Sequence, residues 1–264
     1  MGKVIGVISL KGGVGKTSTV VSLGQAISSF GKKVLLVDGN VTAPNLGLHL
    51  KVVDPVVTLN KVLCNKANAG DAIISLGNFD LLPASLFGKD KVSPLKLKDR
   101  IKHLKRKYDV ILVDSAPTLS EESLAVVLAA DELLVVTTPD HPTLSTTIKS
   151  IKLAKQRGTP ISGLVLNKVH NKNFEIPLKD VEETAEVPVM AVIPHDVKVL
   201  KALSEFEPYT ANYPKSEGAE EYMKLAGMLI GEQYKPFRVK RFLRKISPKP
   251  QDVNRLVFYE SVFN

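Results

Sequence analysis

The sequence is poor in cysteine and has no long apolar run, and each absence removes a class of protein. Cys64 is the only cysteine among 264 residues, which excludes an internal disulfide and a paired-cysteine site for zinc or an iron–sulfur cluster. A metal or cluster carrier is therefore disfavoured. No apolar run approaches the ~20 residues that cross a membrane, and the N-terminus shows no signal-peptide pattern. We expect a cytoplasmic protein.

The remaining composition is that of an ordinary globular protein with an uneven distribution of charge. Hydrophobic residues make up 44% and charged residues 24%, which is typical of a folded domain. The net charge is +9, yet the chain from Gln233 onward carries eight basic residues against Asp252 and Glu260, a net +6. Three prolines also interrupt that end of the chain. We therefore divide the sequence into a domain, 1–233, and a basic tail, 234–264.

Apolar runs bounded by turn signals alternate with amphipathic segments along the domain. This alternation is typical of α/β proteins, in which helices cover the sheet. The sequence therefore predicts a mostly parallel twisted sheet with helices on both faces. The predicted strands cover residues 4–8, 34–37, 79–82, 110–113, 133–136, 161–166 and 189–193. The predicted helices cover residues 18–30, 94–107, 121–130, 143–157, 197–203 and 218–231.

A glycine-rich segment joins the first predicted strand to the first predicted helix. It reads Lys11-Gly12-Gly13-Val14-Gly15-Lys16-Thr17-Ser18. Glycines leave the backbone free of side chains, so consecutive N–H groups can turn inward and cradle phosphate oxygens. The helix that follows aims its positive end at the same point. We expect Lys16 to reach the outer phosphates of a nucleotide and the Thr17 hydroxyl to ligate Mg²⁺.

Two other predicted strands end in aspartates. Asp38 follows the strand 34–37, and Asp114 follows the strand 110–113. Ligands of parallel sheets lie at the carboxyl ends of the strands, so both side chains are expected to face the glycine-rich loop. The apolar strand 110–113 with Asp114 at its end is the Walker B arrangement, which holds Mg²⁺. The candidate metal ligands are therefore Thr17, Asp38 and Asp114.

A second lysine, Lys11, stands directly before the glycine pair. With it, the segment resembles the deviant loop KGGVGKT of the MinD/ParA family of ATPases. The resemblance runs from the first strand to about residue 232 and is most specific at this loop. It implies that Lys11 reaches the phosphates of the nucleotide in a partner subunit, so that ATP bridges an ATP-dependent homodimer.

The segment after the second strand departs from the family pattern. MinD-like proteins carry Asp-x-Asp here, and the second aspartate positions or activates the attacking water. In this sequence the first is Asp38, but the second position is Asn40, which can orient a water and cannot accept a proton. We therefore expect slow ATP hydrolysis, with Lys11, Lys16, Asp38 and Asn40 as the candidate catalytic residues. A turn role for Asn40 is the alternative.

Two segments are expected near the base of the nucleotide. Asn167 and Lys168 follow the strand 161–166, and the resemblance implies that the asparagine amide reads the base edge. Guanine-specific proteins place an aspartate three residues after that asparagine, where this chain has His170, so adenine is favoured. The family's loop along the adenine corresponds to the segment containing Pro194 and Asp196. The expected cofactors are ATP and Mg²⁺.

Basic residues also suggest surfaces for partners. Within residues 237–246, Val239, Phe242, Leu243 and Ile246 fall on one helical face and the cations around the rest, and ~15 Å of helix is too short to cross a membrane. We expect this segment to lie on an anionic membrane surface, as the comparable C-terminal helix of MinD proteins implies. The rival interpretation is that the tail docks on its own domain or on a partner. The basic helix 96–107 is either solvated or a contact for acidic partners or nucleic acid.

Three functions are consistent with these features. The resemblance favours a MinD-like switch that dimerises on ATP and positions an unidentified protein partner at the inner face of the cell membrane, in cell division or spatial organisation. A ParA-type partition ATPase on DNA is an alternative, although the basic tail fits a membrane better than a duplex. A non-hydrolysing nucleotide-gated adaptor is the third, because Asn40 replaces the expected aspartate.

Overall fold

The computed structural model describes residues 2–88 and 92–234, and these residues build one eight-stranded sheet. In chain order the strands are β1 (Lys3–Ile8), β2 (Val34–Asp38), β3 (Ile74–Ser75), β4 (Asp80–Leu82), β5 (Val110–Asp114), β6 (Glu132–Thr137), β7 (Ile161–Val169) and β8 (Val189–Pro194). Their order across the sheet is β3-β4-β2-β5-β1-β6-β7-β8. Only the short β3 is antiparallel to its neighbour, so the predicted, mostly parallel sheet is confirmed.

The described residues also form ten α-helices. These are α1 (Lys16–Ser28), α2 (Leu46–His49), α3 (Leu59–Leu63), α4 (Leu97–Ile101), α5 (Glu121–Ala129), α6 (His141–Arg157), α7 (Leu178–Ala185), α8 (Lys198–Ser204), α9 (Tyr209–Asn212) and α10 (Glu217–Ile230). None of these helices is long and apolar enough to cross a membrane.

Helices cover both faces of the sheet because the central strands are apolar on both faces. Along β1, Val4 and Ile8 join a hydrophobic layer with residues of α3 to α7. Ile5 and Val7 join the opposite layer, which contains residues of α1, α2 and α8 to α10. Strands covered on both faces leave only their ends for a ligand, and their carboxyl ends lie along one edge.

The predicted helix 94–107 is wrong as a continuous α-helix. The structure has 3₁₀ turns at Pro94–Lys96 and Lys102–Arg106 on either side of the short α4. The backbone groups that an α-helix would use internally bond elsewhere: the Lys105 carbonyl accepts from Gly2 N–H at 2.8 Å, and Asp109 N–H donates to the Lys33 carbonyl at 2.9 Å. Gly2 and Lys33 directly precede β1 and β2, so residues next to two strands take up backbone groups that a continuous α-helix would bond internally.

Several short elements were not predicted. They are β3, α2, α3, α7 and α9, each of eight residues or fewer and therefore weak in any periodic signal. The seven predicted strands and the other helices are present, with ends that differ by a few residues. The proposed tail, including the segment 237–246, lies outside the described residues.

Gly39 provides a test of the packing at the carboxyl edge. A Cβ atom built on it would lie 2.6 Å from the Asp114 carbonyl oxygen and 2.8 Å from Val126 Cγ2. We therefore expect Gly39→Ala to lower the free energy of unfolding by about 1–3 kcal/mol through overpacking. Gly70→Ala is the matched control, because a Cβ atom there meets nothing within 4 Å. Urea denaturation that finds the two variants equally stable would contradict this packing.

Candidate nucleotide-binding site

The glycine-rich loop connects β1 to α1 in a conformation that depends on its glycines. Gly13 and Gly15 have φ angles of 79° and 93°, in the left-handed region that favours glycine. Gly15 is the N-cap of α1, with no side-chain cap and no acidic residue in the first turn. The N–H groups at the start of α1 are consequently left for a ligand, and the helix end favours an anion.

Lys16 and Thr17 enter the site from the first turn of α1. Burial lowers the pKa of Lys16, and the nearby Asp114 charge partly offsets that effect. The Thr17 hydroxyl donates to Asp114 Oδ2 at 2.6 Å. The loop lysine, the loop hydroxyl and the β5 aspartate therefore lie together, as the sequence predicted.

Asp38 and Asp114 occupy paired positions at the ends of the neighbouring strands β2 and β5. Burial raises the pKa of Asp38, the nearby Asp114 raises it further, and N–H groups including those of Leu46 and Asn40 oppose the shift. Burial also raises the pKa of Asp114, against the opposing effects of Lys16 and Thr17. Two buried carboxyls of this kind favour protonation or a bound cation.

The Asp114 carboxylate fits a divalent cation. Its Oδ1 atom is buried and has no hydrogen-bond partner in the described part of the chain, although buried polar atoms are normally satisfied. Carboxylate and hydroxyl oxygens are the protein ligands that Mg²⁺ prefers. Asp114 and Thr17, with Asp38 beside them, could therefore hold Mg²⁺.

Asn40 is buried next to this group, and its side chain closes a turn. Its Nδ2 donates to the Ala43 carbonyl at 2.5 Å, and its Oδ1 accepts from Ala43 N–H at 3.4 Å. The residue also lines the cavity that contains Lys16 and Thr17. The turn role that the sequence left open is thus visible, and the side chain still borders the site.

The Lys11 side chain contacts the start of α6. Its Nζ donates to Thr143 Oγ1 at 2.6 Å and to Asp140 Oδ1 at 3.3 Å. Burial alone would raise the pKa of Asp140, but hydrogen bonds from Thr138, Thr143 and Lys11 outweigh it and bring the pKa to about 2. Lys11 therefore rests on an ionised carboxylate at the start of α6.

A cavity of about 400 Å³ extends from the loop toward the ends of β7 and β8. Its lining includes the other predicted contacts, Ser18, Asn167, Lys168, Pro194 and Asp196. A second cavity of about 440 Å³, between β7 and the start of α7, contains none of the loop residues. The first cavity is the one that fits a nucleotide, because it joins an anion-binding helix end to a mostly apolar recess.

Three of the predicted contacts near the base, Asn167, Lys168 and Asp196, are already engaged within the chain. Asn167 Nδ2 donates to the Val14 carbonyl at 2.8 Å, and Lys168 Nζ donates to the Gly13 carbonyl at 2.6 Å. Asp196 accepts from Tyr209 Oη at 2.8 Å and from Lys198 N–H at 2.9 Å. These bonds leave one N–H of the Asn167 amide for a base.

Sequence reasoning missed several residues of this region. Asp140 and Thr143 accept hydrogen bonds from Lys11. Tyr222, on α10, lines the cavity, and its hydroxyl oxygen lies 3.1 Å from that of Thr19. Asp140 does carry a local signal, since it is the N-cap of α6 and accepts from Thr143 N–H. Its pairing with Lys11 spans 129 positions and has no sequence signal.

These features together define a P-loop nucleotide-binding protein with a second lysine in its loop. A model of the AAA domain family matches residues 2–161. The septum site-determining protein MinD of Thermotoga maritima is 31% identical over 245 residues, which cover 88% of this chain and 89% of that protein.

Two solved structures are similar to the described domain. The cell division ATPase MinD of Pyrococcus furiosus is 39% identical with a TM-score of 0.80, and the match covers 86% of this chain and 97% of that one. MinD of Pyrococcus horikoshii, complexed with Mg-ADP, is 35% identical with a TM-score of 0.81, and covers 87% and 96%. The chain belongs to the MinD/ParA family of P-loop ATPases.

The raised carboxyl pKa values predict how stability depends on pH when metal and nucleotide are absent. Asp38 and Asp114 bind protons more tightly in the folded state than in the unfolded state, so stability falls as the pH rises from about 4 toward the pKa of Asp38, about 8. Asp38→Asn removes one of these ionisations. Between pH 5 and pH 8 the free energy of unfolding should therefore fall less for Asp38→Asn than for the wild type, so the difference between the two should shift in favour of the variant as the pH rises.

Urea denaturation in the presence of a chelator measures this difference. Asp54→Asn is the control, because Asp54 lies on the exposed surface. A difference between Asp38→Asn and wild type that stays constant across this pH range would contradict the electrostatic account.

Proposed function

We propose that this chain is a Mg-ATP-dependent switch that dimerises when it binds ATP. The observation that carries the proposal is the site itself: a glycine loop at a free helix end, the buried Lys16, and a Thr17–Asp114 pair with an unsatisfied carboxylate oxygen. Asp114, Thr17 and Asp38 would hold Mg²⁺, which would neutralise phosphate charge. The Mg-ADP in the similar MinD of Pyrococcus horikoshii supports this choice of ligand.

Adenine is the proposed base. The chain has His170 where guanine-specific sequences have an aspartate, so the carboxylate that would accept from a guanine ring is missing. Pro194 and Asp196 would border the adenine, because both line the recess of the nucleotide cavity.

Lys11 would change partners when ATP bridges two subunits. Its present contacts with Asp140 and Thr143 are partly exposed, and exposed ion pairs contribute only about 0–1 kcal/mol. Leaving them therefore costs little compared with a contact to the phosphates of a second subunit. The Lys11 position would then make dimerisation depend on the nucleotide.

Hydrolysis is expected to be slow. Asn40 has no carboxylate, and the Nδ2 and Oδ1 atoms of its side chain both form hydrogen bonds with the backbone of Ala43. Losing a positioned base typically costs about 10²–10⁴-fold, although phosphoryl transfer depends more on positioning and electrostatics. The same observation favours a second candidate, a non-hydrolysing nucleotide-gated adaptor.

The surface that the switch would use is an anionic membrane. The basic tail, 234–264, contains cations interleaved with apolar residues at helical spacing in 237–246, and each cation near an anionic leaflet contributes about 1 kcal/mol. Two tails in one dimer would bind more strongly than one through effective concentration. The role would be to position a protein partner in cell division or spatial organisation, and partition on DNA is the less favoured alternative.

The first test of this function concerns Lys16. Lys16→Ala removes the buried cation of the phosphate site, and a hydrogen bond to a charged group contributes about 1.5–3 kcal/mol. We therefore expect Mg-ATP affinity to fall by about tenfold to a hundredfold in isothermal titration. Lys149→Ala, on the exposed surface of α6, should bind as the wild type does. Equal affinity for wild type and Lys16→Ala would refute the site.

Asn40 sets the expected turnover. Asn40→Asp replaces Nδ2, which donates to the Ala43 carbonyl, by a carboxylate oxygen. The Ala43 carbonyl repels this oxygen, so the carboxylate becomes available to the cavity that residue 40 lines. We expect steady-state ATP turnover to rise by about tenfold or more, whereas Asn40→Ala should be no faster than wild type. If Asn40→Asp is also no faster, Asn40 is not what limits hydrolysis.

Membrane attachment is tested in the full chain with vesicles of phosphatidylglycerol. Phe242→Asp places a charge on the apolar face of the segment 237–246, so we expect less cosedimentation in the presence of ATP. Phe258→Asp makes the same change outside that segment and should bind as wild type. Wild-type protein that stays in the supernatant with ATP at low salt would reject the membrane and favour the tail docking on its own domain or a partner.

A further inference from the structure

The end of β7 is irregular where it meets the phosphate loop. The pairing of β7 with β8 shifts register between Leu166 and Val169, and Lys168 has a φ of 57°, which is uncommon for a residue other than glycine. Irregularities of this kind redirect side chains that would otherwise alternate across the sheet. At this point the side chains of both Asn167 and Lys168 reach the same loop.

Asn167 and Lys168 bond two successive carbonyl groups of that loop. Lys168 Nζ donates to the Gly13 carbonyl at 2.6 Å, and Asn167 Nδ2 donates to the Val14 carbonyl at 2.8 Å. The Asn167 side chain is fixed in turn, because its Oδ1 accepts from Lys168 N–H at 2.9 Å. A Cβ atom on Gly15 would collide with Asn167 Nδ2, so the two segments fit closely.

Holding these carbonyls determines where the loop N–H groups point. In a trans peptide the C=O and the following N–H point in opposite directions across a rigid plane. Because the Gly13 carbonyl points toward Lys168, the Val14 N–H points away from Lys168. In the same way, the Val14 carbonyl points toward Asn167, and the Gly15 N–H points away from Asn167. Both N–H groups belong to the loop that would cradle the phosphates.

We propose that Lys168, with Asn167, is a positioning residue of the phosphate loop, which fixes the direction of its N–H groups and so strengthens binding of the polyphosphate chain whatever the base. The inference rests on the proposed function, in which this loop binds the phosphates of ATP. It differs from base reading, because the Lys168 ammonium is bound at Gly13 rather than in the recess for the base.

Inorganic tripolyphosphate separates the two roles, because it has no base. Isothermal titration with the magnesium complexes of tripolyphosphate, ATP and GTP compares wild type with Lys168→Met. We expect all three affinities to fall by about tenfold, as for loss of one charged hydrogen-bond donor, with an unchanged ratio of ATP to GTP affinity. Lys168→Arg should recover most of the loss. Lys172→Met, an exposed lysine in the following loop, is the control.

Hydrogen exchange of the ligand-free protein provides the second measurement. Lys168→Met should accelerate exchange of the amides in residues 12–17 and leave the core strands unchanged, since the loop loses a restraint before any ligand binds. Arginine at the same position should restore protection.

The outcomes separate this inference from the proposed function. An unchanged tripolyphosphate affinity with an altered ratio of ATP to GTP affinity would overturn it in favour of base reading. Weaker tripolyphosphate binding with unchanged loop exchange would also overturn it, since Lys168 would then contact the phosphates directly. Wild-type protein that binds ATP but not tripolyphosphate would count against it as well. Failure of the wild type to bind either would reject the proposed function and this inference together.

Discussion

The nucleotide end of this domain depends on the direction of a few backbone N–H groups between β1 and α1. Positive φ angles at Gly13 and Gly15 set that direction locally, and contacts from the end of β7 hold it from outside. Both act on a segment that loses much conformational entropy when it is ordered, because it is rich in glycine. The sheet is thus connected to the loop in two ways: β1 leads into it, and side chains at the end of β7 form hydrogen bonds with its carbonyl groups.

The same site concentrates charge in a buried environment. Asp38 and Asp114 have raised pKa values, and Lys16 has a lowered one, chiefly because burial disfavours the ionised forms. The ligand-free domain therefore carries an electrostatic cost that a divalent cation and phosphates would offset. A ligand that binds only the folded state stabilises it by mass action, so nucleotide binding and the stability of this edge of the sheet would be coupled.

The sequence predicted the frame of the fold because the frame follows local patterns. Apolar runs located seven strands, and the glycines, Lys16 and the strand-end aspartates marked residues that the structure brings together at one edge. The prediction of one continuous α-helix over 94–107 was wrong. Backbone groups at its C-terminal end bond Gly2 and Lys33 instead, and no local periodicity reveals these partners. The partners of Lys11 and the contacts of Lys168 span more than a hundred positions and were invisible for the same reason.

Asn40 illustrates an intermediate case. The sequence identified it as a departure from the family pattern and left a turn role open, and the structure shows the bonds to Ala43 that such a role requires. Its chemistry toward water is a property of the ligand-bound site and stays a prediction. Membrane attachment by the tail also stays a prediction, since those residues lie outside the described part of the chain.

The central claim is that ATP joins two copies of this chain through Lys11. Sedimentation velocity with Mg-ATP and with Mg-ADP, on wild type and Lys11→Ala, tests it most directly. The account predicts a dimer only for the wild type with ATP, while Lys11→Ala stays monomeric and still binds ATP. A wild type that stays monomeric with ATP, or a Lys11→Ala variant that dimerises as readily, would contradict it.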